Sequence, residues 1–355
     1  MIIIIAIISL VLLVTLHELG HFLFAKKFGV RVDEFGIGYP PRIWGKKIKG
    51  TLYSLNLLPL GGFVKIYGHE ERIETPDSFT TKPFWQKSII ILAGVAVFWV
   101  VAAILLSIVM LIGAPSMLQD DETTGFTDAK VQIIGVSHDS PAFEAKLQTG
   151  DIIKEINGDP IDKVIEIQEL ANSNKGKEIL LTIQRGQKML NIYLTPRVDS
   201  PNGEGPIGIA LLRTGLKKTV WYKAPIDGVR ATGALTVAVV RGWVVTLQGI
   251  FKDGKVPMGV EVKGPIGIFQ LFSDVGGLGA SYFLQLVAVI AISLALINVL
   301  PIPALDGGWF LFLVIEKIKG KPLNQKWVQN ISIFFFILLV ILLLWITFKD
   351  IIRLF

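Results

Sequence analysis

Three long stretches without a charged residue constrain the fold of this chain more than any other feature. They cover residues 88–119, 275–305 and 327–348. Each is longer than the roughly 20 residues that a helix needs to cross about 30 Å of hydrocarbon. Because 52% of the residues are hydrophobic and only 18% are charged, we expect an integral membrane protein and not a soluble domain.

The N-terminus supplies a further apolar run, at residues 1–16. No basic residue precedes it, so it does not have the pattern of a cleavable signal peptide. Basic residues follow it instead and are frequent over residues 25–87, among them Lys26, Arg42 and Lys47. The positive-inside rule therefore predicts that this segment is cytoplasmic and that the N-terminus lies outside.

These patterns predict a polytopic α-helical membrane protein with about four transmembrane helices, a cytoplasmic, membrane-associated β-hairpin region and an inserted extracytoplasmic α+β domain. The predicted segments are transmembrane helices at 1–24, 88–113, 282–310 and 327–349, the hairpin region at 25–87, the inserted domain at 130–212 and an interfacial amphipathic region at 213–281. Within that last region, residues 234–251 are apolar but carry Arg241 and Gln248. A crossing there would reverse the third span, so we interpret the segment as a helix on the outer membrane surface.

The first apolar run ends in His17-Glu18-Leu19-Gly20-His21. On a helix, residues four apart share a face, so His17 and His21 can bind one metal ion, and Glu18 falls beside it as a candidate general base. Ionisable residues at membrane depth are costly and usually functional. The alternative is a chance cluster at a helix end near the headgroups.

A second candidate site element lies at residues 298–308, Asn-Val-Leu-Pro-Ile-Pro-Ala-Leu-Asp-Gly-Gly. Its prolines and glycines predict a helix break at membrane depth, which is tolerated where backbone lines a cavity. A catalytic zinc site has three protein ligands and one open position, and Asp306 would complete a set with the two histidines. The alternatives are a capping aspartate at Asp306 and an interhelical hydrogen-bonding role for Asn298.

Together, HExxH in the first span and NxxPxPxLDG in a later one resemble the site-2 protease family of intramembrane zinc metalloproteases, and most closely the bacterial branch that includes the regulator of sigma-E protease. Residues 61–65 resemble the family's GGxVK hairpin, residues 264–268 its GPxGI motif, and residues 315–320 the link between its last two spans. The chain departs from the family at Trp309, where relatives often have His or Arg.

The resemblance implies an intramembrane zinc endopeptidase in a bacterial inner or plasma membrane, with its active site near the cytoplasmic side. Its substrates would be single-span proteins, such as anti-sigma factors or signal-peptide remnants, often already trimmed outside by another protease. In this scheme Asn298 holds the substrate strand or the developing oxyanion. Hairpin residues Gly61, Gly62 and Phe63 would also bind substrate in extended form, unless the hairpin only seals the cavity.

Residues 130–212 resemble a bacterial PDZ domain. The pattern predicts strands near 131–136, 151–153, 179–184 and 190–194, helices at Ser140 and over 164–171, and a tight turn at Asn157-Gly158. A circularly permuted arrangement would place the strand that binds a peptide carboxylate at Gly205, Ile207, Gly208 and Ile209. The domain would then bind peptides by strand addition, or act only as a steric filter.

Two other classes of protein are alternatives to the protease. A non-hydrolytic membrane scaffold with a peptide-binding PDZ domain would have no use for Glu18, and a metal transporter would need more polar residues along its spans. Nucleic-acid binding is not indicated, since basic and aromatic residues are not interleaved. His69, in a charged stretch, and His138, in a loop, are expected not to bind metal, because neither has a partner at helical spacing.

Overall fold

The apolar stretches of the sequence form long helices. The computed structural model describes residues 2–122, 125–186, 188–201, 204–253, 263–276 and 278–352. Its helices are α1 (Ile2–Lys27), α2 (Phe84–Ile112), α3 (Pro141–Glu144), α4 (Val164–Ser173), α5 (Ala224–Asp253), α6 (Pro265–Gly276), α7 (Ala280–Val299), α8 (Asp306–Lys319) and α9 (Gln325–Ile352). Its strands are β1 (Val32–Ile48), β2 (Thr51–Ile66), β3 (Ala114–Met117), β4 (Phe126–Val136), β5 (Ile152–Ile156), β6 (Asp159–Pro160), β7 (Ile179–Arg185), β8 (Lys188–Leu194) and β9 (Ile209–Lys217).

Among the described residues, five helices are long and apolar enough to cross a membrane, judged by length and composition. Four of them, α1, α2, α7 and α9, lie where the sequence predicts spans. The fifth is α5, which we expected to lie on the outer surface. It is one continuous helix of 30 residues, most of whose large apolar side chains are exposed. The chain is therefore a polytopic membrane protein with several long apolar helices.

By its contacts the chain divides into two compact units. One consists of Met1–Leu106, Val229–Gln270 and Val287–Phe355, and the other of Ser107–Gly228 and Leu271–Leu286. The first unit contains the HExxH helix, the hairpin region and the Asp306 segment. The second contains the inserted α+β domain.

In the first unit, β1 and β2 form more than a simple hairpin. Residues 34–37 of β1 pair with residues 52–55 of β2 on one side and with residues 62–65 on the other. The chain therefore turns back near Gly61, which has a φ of +127° that favours glycine. Because residues 62–66 pair only with the beginning of β1, they form an edge of this sheet within the described part of the chain.

A hydrophobic core attaches this sheet to three helices. Its buried residues come from α1, from the β1 and β2 region, from the first turns of α2 and from α8. They include Phe22, Phe35, Ile90 and Leu313. The Phe22 ring packs at an angle against those of Phe35 and Tyr53, with ring centroids 5.3 and 5.9 Å apart. This packing fixes the hairpin region against the helix that carries the histidines.

The second unit is built on a seven-stranded sheet in the order β3-β9-β4-β5-β7-β8, with β6 beside β5. Its core lies under α3 and α4 and includes Ile133, Ile156, Ile167 and Leu181, each at most 1% exposed. A buried carboxylate, Asp151, accepts two hydrogen bonds of 2.7 Å from the Arg185 guanidinium. That ion pair ties the start of β5 to the end of β7.

Two predicted boundaries in this unit are wrong. The sheet extends beyond 130–212, because β4 begins at Phe126, β9 ends at Lys217, and β3 pairs with β9. Charged residues at the start of β4 did not suggest a strand in the sequence. One of them, Lys130, is nevertheless buried: its side chain is 5% exposed, and its ammonium lies 4.6 Å from the centre of the Tyr282 ring. The predicted strand at residues 205–209 is a loop up to Gly208, whose φ is +79°, and only Ile209 lies in β9.

The first unit also contains a buried capping carboxylate that the sequence does not reveal. Asp350, near the end of α9, is 5% exposed and accepts a 2.8 Å hydrogen bond from the backbone N–H of Gly267 in the first turn of α6. A Cβ on Gly264 would lie 2.8 Å from this carboxylate. The GPIGI glycines therefore allow α6 to begin directly against Asp350.

We expect Asp350→Ala to destabilise the protein by about 1–3 kcal/mol, because it leaves a buried N–H without its acceptor. Asp350→Asn, which keeps an acceptor oxygen, should lose less. The measurement is the thermal unfolding midpoint in detergent, with the exposed neighbour Lys349→Ala as the control. Equal midpoints for Asp350→Ala and Lys349→Ala would contradict a capping role.

Candidate metal centre

His17 and His21 lie one turn apart on α1, and both are buried, at 6% and 7% exposure. Their Nε2 atoms are 3.1 Å apart. Nδ1 of His21 lies 2.8 Å from the carbonyl oxygen of Ile90 in α2, and the His17 ring stacks on Phe98 with centroids 4.6 Å apart. The two rings are therefore held by α2 with their Nε2 atoms turned toward one point.

Asp306 reaches the same point from another part of the chain. After α7 the chain is non-helical through residues 300–305, and α8 begins at Asp306. Oδ2 of Asp306 lies 3.2 Å from Nε2 of His17 and 3.4 Å from Nε2 of His21. The two glycines that follow are buried, and a Cβ on either would collide with backbone carbonyls of residues 299–302. The Gly-Gly pair thus lets α8 start close against the preceding turn.

The sequence did not indicate that Gly94 in α2 leaves room for the two histidine rings. A Cβ on Gly94 in α2 would collide with the rings of both His17 and His21. Similarly, a Cβ on Gly20 would meet the backbone of Ala93 at 2.8 Å. Small residues in a membrane helix mark close helix contacts, so the Ala93-Gly94 pair was the available signal.

The three side chains fit a zinc ion. Three donors of a tetrahedral site at about 2.0–2.1 Å from zinc lie about 3.3–3.4 Å from one another, close to the spacings of these atoms. Oδ2 of Asp306 and Nδ1 of His17 are buried without a hydrogen-bond partner in the described part of the chain. Such orphaned atoms are rare in proteins, and the carboxylate oxygen is accounted for if it faces a cation.

Glu18 is partly buried beside this cluster. Its carboxylate lies close enough to the backbone of Val64 in β2, and to His21, His17 and Asp306, to interact with them electrostatically. The general-base candidate is therefore held between the HExxH helix and the edge of the small sheet. The contact with Val64 could not be read from the sequence.

The hairpin glycines lie against α1 one turn before the histidines. A Cβ on Gly61 would meet the Val14 side chain at 2.9 Å, and one on Gly62 would meet the backbone of Thr15 at 3.3 Å. The ring of Phe63 lies over Gly36 and 6.0 Å from that of Tyr39. The structure thus brings Gly61 and Gly62 to the helix that carries the metal-binding side chains.

Asn298 is not part of this cluster. It lies at the end of α7, partly buried, and its side-chain amide donates a 2.9 Å hydrogen bond to the carbonyl of Leu294 in the same helix. Within the described part of the chain, this amide makes no other side-chain hydrogen bond. A substrate-binding role for Asn298 therefore stays a prediction.

His69 lies in a charged stretch of the sequence but is partly buried in the structure. Its ring lies between those of Trp309 and Phe79, with centroid distances of 4.4 and 4.9 Å. The loss of solvent around the ring lowers the pKa of His69 to about 4, so the ring is neutral near pH 7. His69 thus contacts Trp309, the residue at which the chain departs from the resembled family.

In the second unit, the predicted peptide-binding residues lie together at the start of β9. Ile207 is 2% exposed, and its carbonyl accepts a hydrogen bond from the N–H of Ala142 in α3. The carbonyl of Gly208 accepts another from Ser137. On the side of β9 away from β4, β3 pairs only with residues 214–217, so no strand of the described chain covers residues 209–212 there.

Comparison with known proteins decides the family. The sequence model of peptidase family M50 matches residues 5–343, which is nearly the whole chain. The chain belongs to peptidase family M50. It is a site-2-type zinc metalloprotease, and zinc is the cofactor of this family.

Similar proteins share the full length of this M50 peptidase. A protein of Fusobacterium nucleatum named as a zinc metalloprotease is 32% identical over 354 residues, which cover 99% of this chain and 98% of the relative. The regulator of sigma-W protease RasP of Bacillus subtilis is 28% identical over 432 residues, 97% of this chain and 96% of the relative. The regulator of sigma-E protease RseP of Salmonella typhimurium is 27% identical, covering 92% of each chain.

Among the solved structures that are similar to part of this chain, one is a PDZ domain. It is the PDZ domain of an SdrC-like protein from Listeria monocytogenes, with 26% sequence identity and a TM-score of 0.22. The match covers 25% of this chain and 92% of that domain.

Proposed function

We propose that this chain is an intramembrane endopeptidase whose zinc is held by His17, His21 and Asp306 and whose general base is Glu18. The observation that carries the proposal is the convergence of three donor atoms, 3.1–3.4 Å apart, from two separate membrane-helix regions. A structural site would normally be closed by a fourth protein ligand. Within the described chain, no fourth His, Cys, Asp or Glu joins the group.

The chemistry follows from these groups. Zinc, when bound, supplies Lewis acidity that polarises the scissile carbonyl and acidifies a water molecule. Glu18 accepts the proton of that water and delivers it to the departing amine. The Ile90 carbonyl fixes the orientation of the His21 ring, because a hydrogen bond to the outer nitrogen holds a metal-binding imidazole in place. Asn298 contributes an amide for the substrate strand or the developing oxyanion.

Single-span membrane proteins are the proposed substrates, and anti-sigma factors are the foremost class. The names of two relatives, regulators of sigma-W and sigma-E protease, support that class. Cleavage requires an extended backbone, because a helix engages each scissile carbonyl in its own hydrogen bond. The edge formed by residues 62–66, in which the backbone of Val64 lies near Glu18, offers a strand against which a substrate can extend. We also propose that another protease trims the substrate before this cleavage.

We infer the membrane topology from helix direction. His17 and His21 lie toward the end of α1, and Asp306 follows the end of α7. Their contact requires that both helices end on the same side, which the basic 25–87 segment marks as cytoplasmic. A lone crossing by α5 would reverse α7, so we propose that α5 lies on the outer surface of a bacterial plasma or inner membrane.

Cysteine labelling tests this topology, and the absence of native cysteine makes it clean. Lys47→Cys, in the exposed part of β1, should react with a membrane-impermeant reagent only from the cytoplasmic side. Lys175→Cys, in the second unit, should react only from outside. The opposite accessibility at either position would overturn the orientation.

The second unit is proposed to be a PDZ domain that restrains uncut substrates. Support comes from the open edge at residues 209–212, the loop at Gly205–Gly208, and the neighbouring helix α4. A peptide could add a strand there. In this proposal the domain checks the outer end of a substrate and takes no part in the chemistry.

Cleavage of a defined single-span substrate tests the function. The purified chain in detergent should cut such a substrate within its apolar segment, as located by product mass. A zinc chelator should abolish the cut, and added Zn²⁺ should restore it. An unstructured soluble polypeptide serves as the control and should remain uncut. Chelator-resistant cleavage, or a cut confined to loops outside the apolar segment, would contradict the proposal.

A further inference from the structure

A cavity of about 440 Å³ lies in the first unit, separate from the metal centre. Its walls come from residues 68–80, the first turn of α2, one face of α8, the linker at residues 320–323 and the start of α9. Two of these helices, α2 and α9, are candidate membrane spans, and both border the cavity where they begin. The cavity therefore lies at the height at which these spans leave the hydrocarbon and meet lipid headgroups.

The lining combines an aromatic floor with positive charge. Phe79, Phe84, Trp309 and Phe312 form much of the floor. The charged lining residues are four cations and two acids, namely Arg72, Lys87, Lys317, Lys321, Glu70 and Glu316. One of the two acids, Glu316, accepts a 2.9 Å hydrogen bond from the N–H of Leu323. The cavity thus has an excess of positive charge above an apolar base.

Two of the lysines are held in place by rings of the floor. The ammonium of Lys317 lies 5.0 Å from the centre of the Phe84 ring, and that of Lys87 lies 5.8 Å from the centre of the Phe79 ring. Neither lysine joins any of the ion pairs formed by the described residues. Lys87 is near enough to Glu316 to be attracted to its charge, but neither ammonium is held in a close ion pair, so both can approach an anion that enters the cavity.

We propose that this cavity binds the headgroup and upper acyl region of an anionic phospholipid. The phosphate would contact Lys87 and Lys317, and the acyl region would lie on the aromatic floor. Basic pockets between membrane helices at the cytoplasmic side are suited to such headgroups, and the volume lies within the usual range of ligand pockets. The assignment of this cavity to the cytoplasmic side rests on the topology given under the proposed function.

The helix α8 connects this site with the metal centre. Asp306 is its first residue, and Trp309, Leu313, Glu316 and Lys317 line the cavity on successive turns of the same helix. A lipid held there would fix α8 and thereby the position of Asp306. The lipid site would therefore support the centre without taking part in its chemistry.

The test measures binding and not proteolysis, so its failure is distinct from failure of the proposed protease function. The full chain in detergent micelles is titrated with phosphatidylglycerol, with phosphatidylcholine or with inorganic phosphate, and the thermal unfolding midpoint is followed. We expect a saturable rise with phosphatidylglycerol alone. A comparable rise with phosphatidylcholine, or a full rise with inorganic phosphate, would overturn the assignment of an anionic lipid.

Variants locate the binding site. Lys87→Gln and Lys317→Gln should each raise the half-saturating phosphatidylglycerol fraction about fivefold, as expected for loss of one basic contact. Val328→Phe, which fills the cavity without changing charge, should abolish the saturable rise. Lys326→Gln, an exposed lysine of α9 outside the cavity, is the matched control and should change the half-saturating fraction less than twofold. Equal effects of Lys326→Gln and the cavity lysines, or an unaffected Val328→Phe, would show diffuse surface attraction and overturn the proposal; each variant's lipid-free midpoint reports its folding.

Discussion

Replacing Glu18 by glutamine is expected to lower turnover by about 10²–10⁴-fold, the usual cost of losing a general base. Zinc content should stay near that of the unaltered protein, because Glu18 is not one of the three converging donors. Glutamine keeps the size of the side chain and one oxygen that can accept a hydrogen bond. The variant therefore removes only the ability to take up a proton at this position.

The measurement combines cleavage rate with metal analysis on the same preparation. Glu169→Gln, on the exposed face of α4, makes the same chemical change away from the centre and should keep full activity. Near-normal turnover in a folded Glu18→Gln variant would show that Glu18 is not the general base. Loss of zinc together with activity would instead assign Glu18 a part in holding the metal.

The histidine pair and the long helices could be predicted because both depend on local spacing. Residues four apart on a helix share a face whatever the rest of the chain does, so His17 and His21 needed no tertiary information. Asp306 is 285 residues beyond His21, and its partnership was inferred from ligand chemistry and resemblance. The structure now places its carboxylate 3.2 and 3.4 Å from the two Nε2 atoms.

Contacts between distant segments account for what the sequence did not predict. Gly94 looked like an ordinary small residue in a span, yet both histidine rings occupy the space where its side chain would be. His69 lies among charged residues in the sequence but packs between two aromatic rings. Asp350 resembles a residue at a helix end, although it caps a helix more than 80 positions away. Local periodicity carries no information about such pairs.

The small sheet shows a similar limit. The sequence predicted a β-hairpin region over residues 25–87, and β1 and β2 both lie within it. The sequence could not show that residues 34–37 pair with both parts of β2, which leaves residues 62–66 at an edge beside α1. Period-two patterns define which residues share a face of a strand, whereas strand order depends on turns and long-range packing.

Removing one donor from the metal centre is the second large effect that we expect. His21→Ala and Asp306→Ala should each lose most of the zinc and nearly all activity. Loss of an outer hydrogen-bond partner alone weakens metal binding by about 10–100-fold, so loss of a direct donor should exceed that. The unaltered protein should hold about one zinc per chain, since one three-ligand group is present in the described chain.

Metal content is measured on detergent-purified protein by elemental analysis, with gel filtration to verify that each variant is folded. The control is His138→Ala, which removes an exposed histidine from the second unit and should keep both zinc and activity. Because His21 also contacts the carbonyl of Ile90, its loss alone would combine a missing donor with an altered helix contact. Asp306→Ala separates the two, since Oδ2 of Asp306 has no hydrogen-bond partner in the described chain. Full zinc retention in both folded variants would exclude this ligand set, whereas loss in Asp306→Ala alone would keep the carboxylate as a ligand and require a different nitrogen donor beside it.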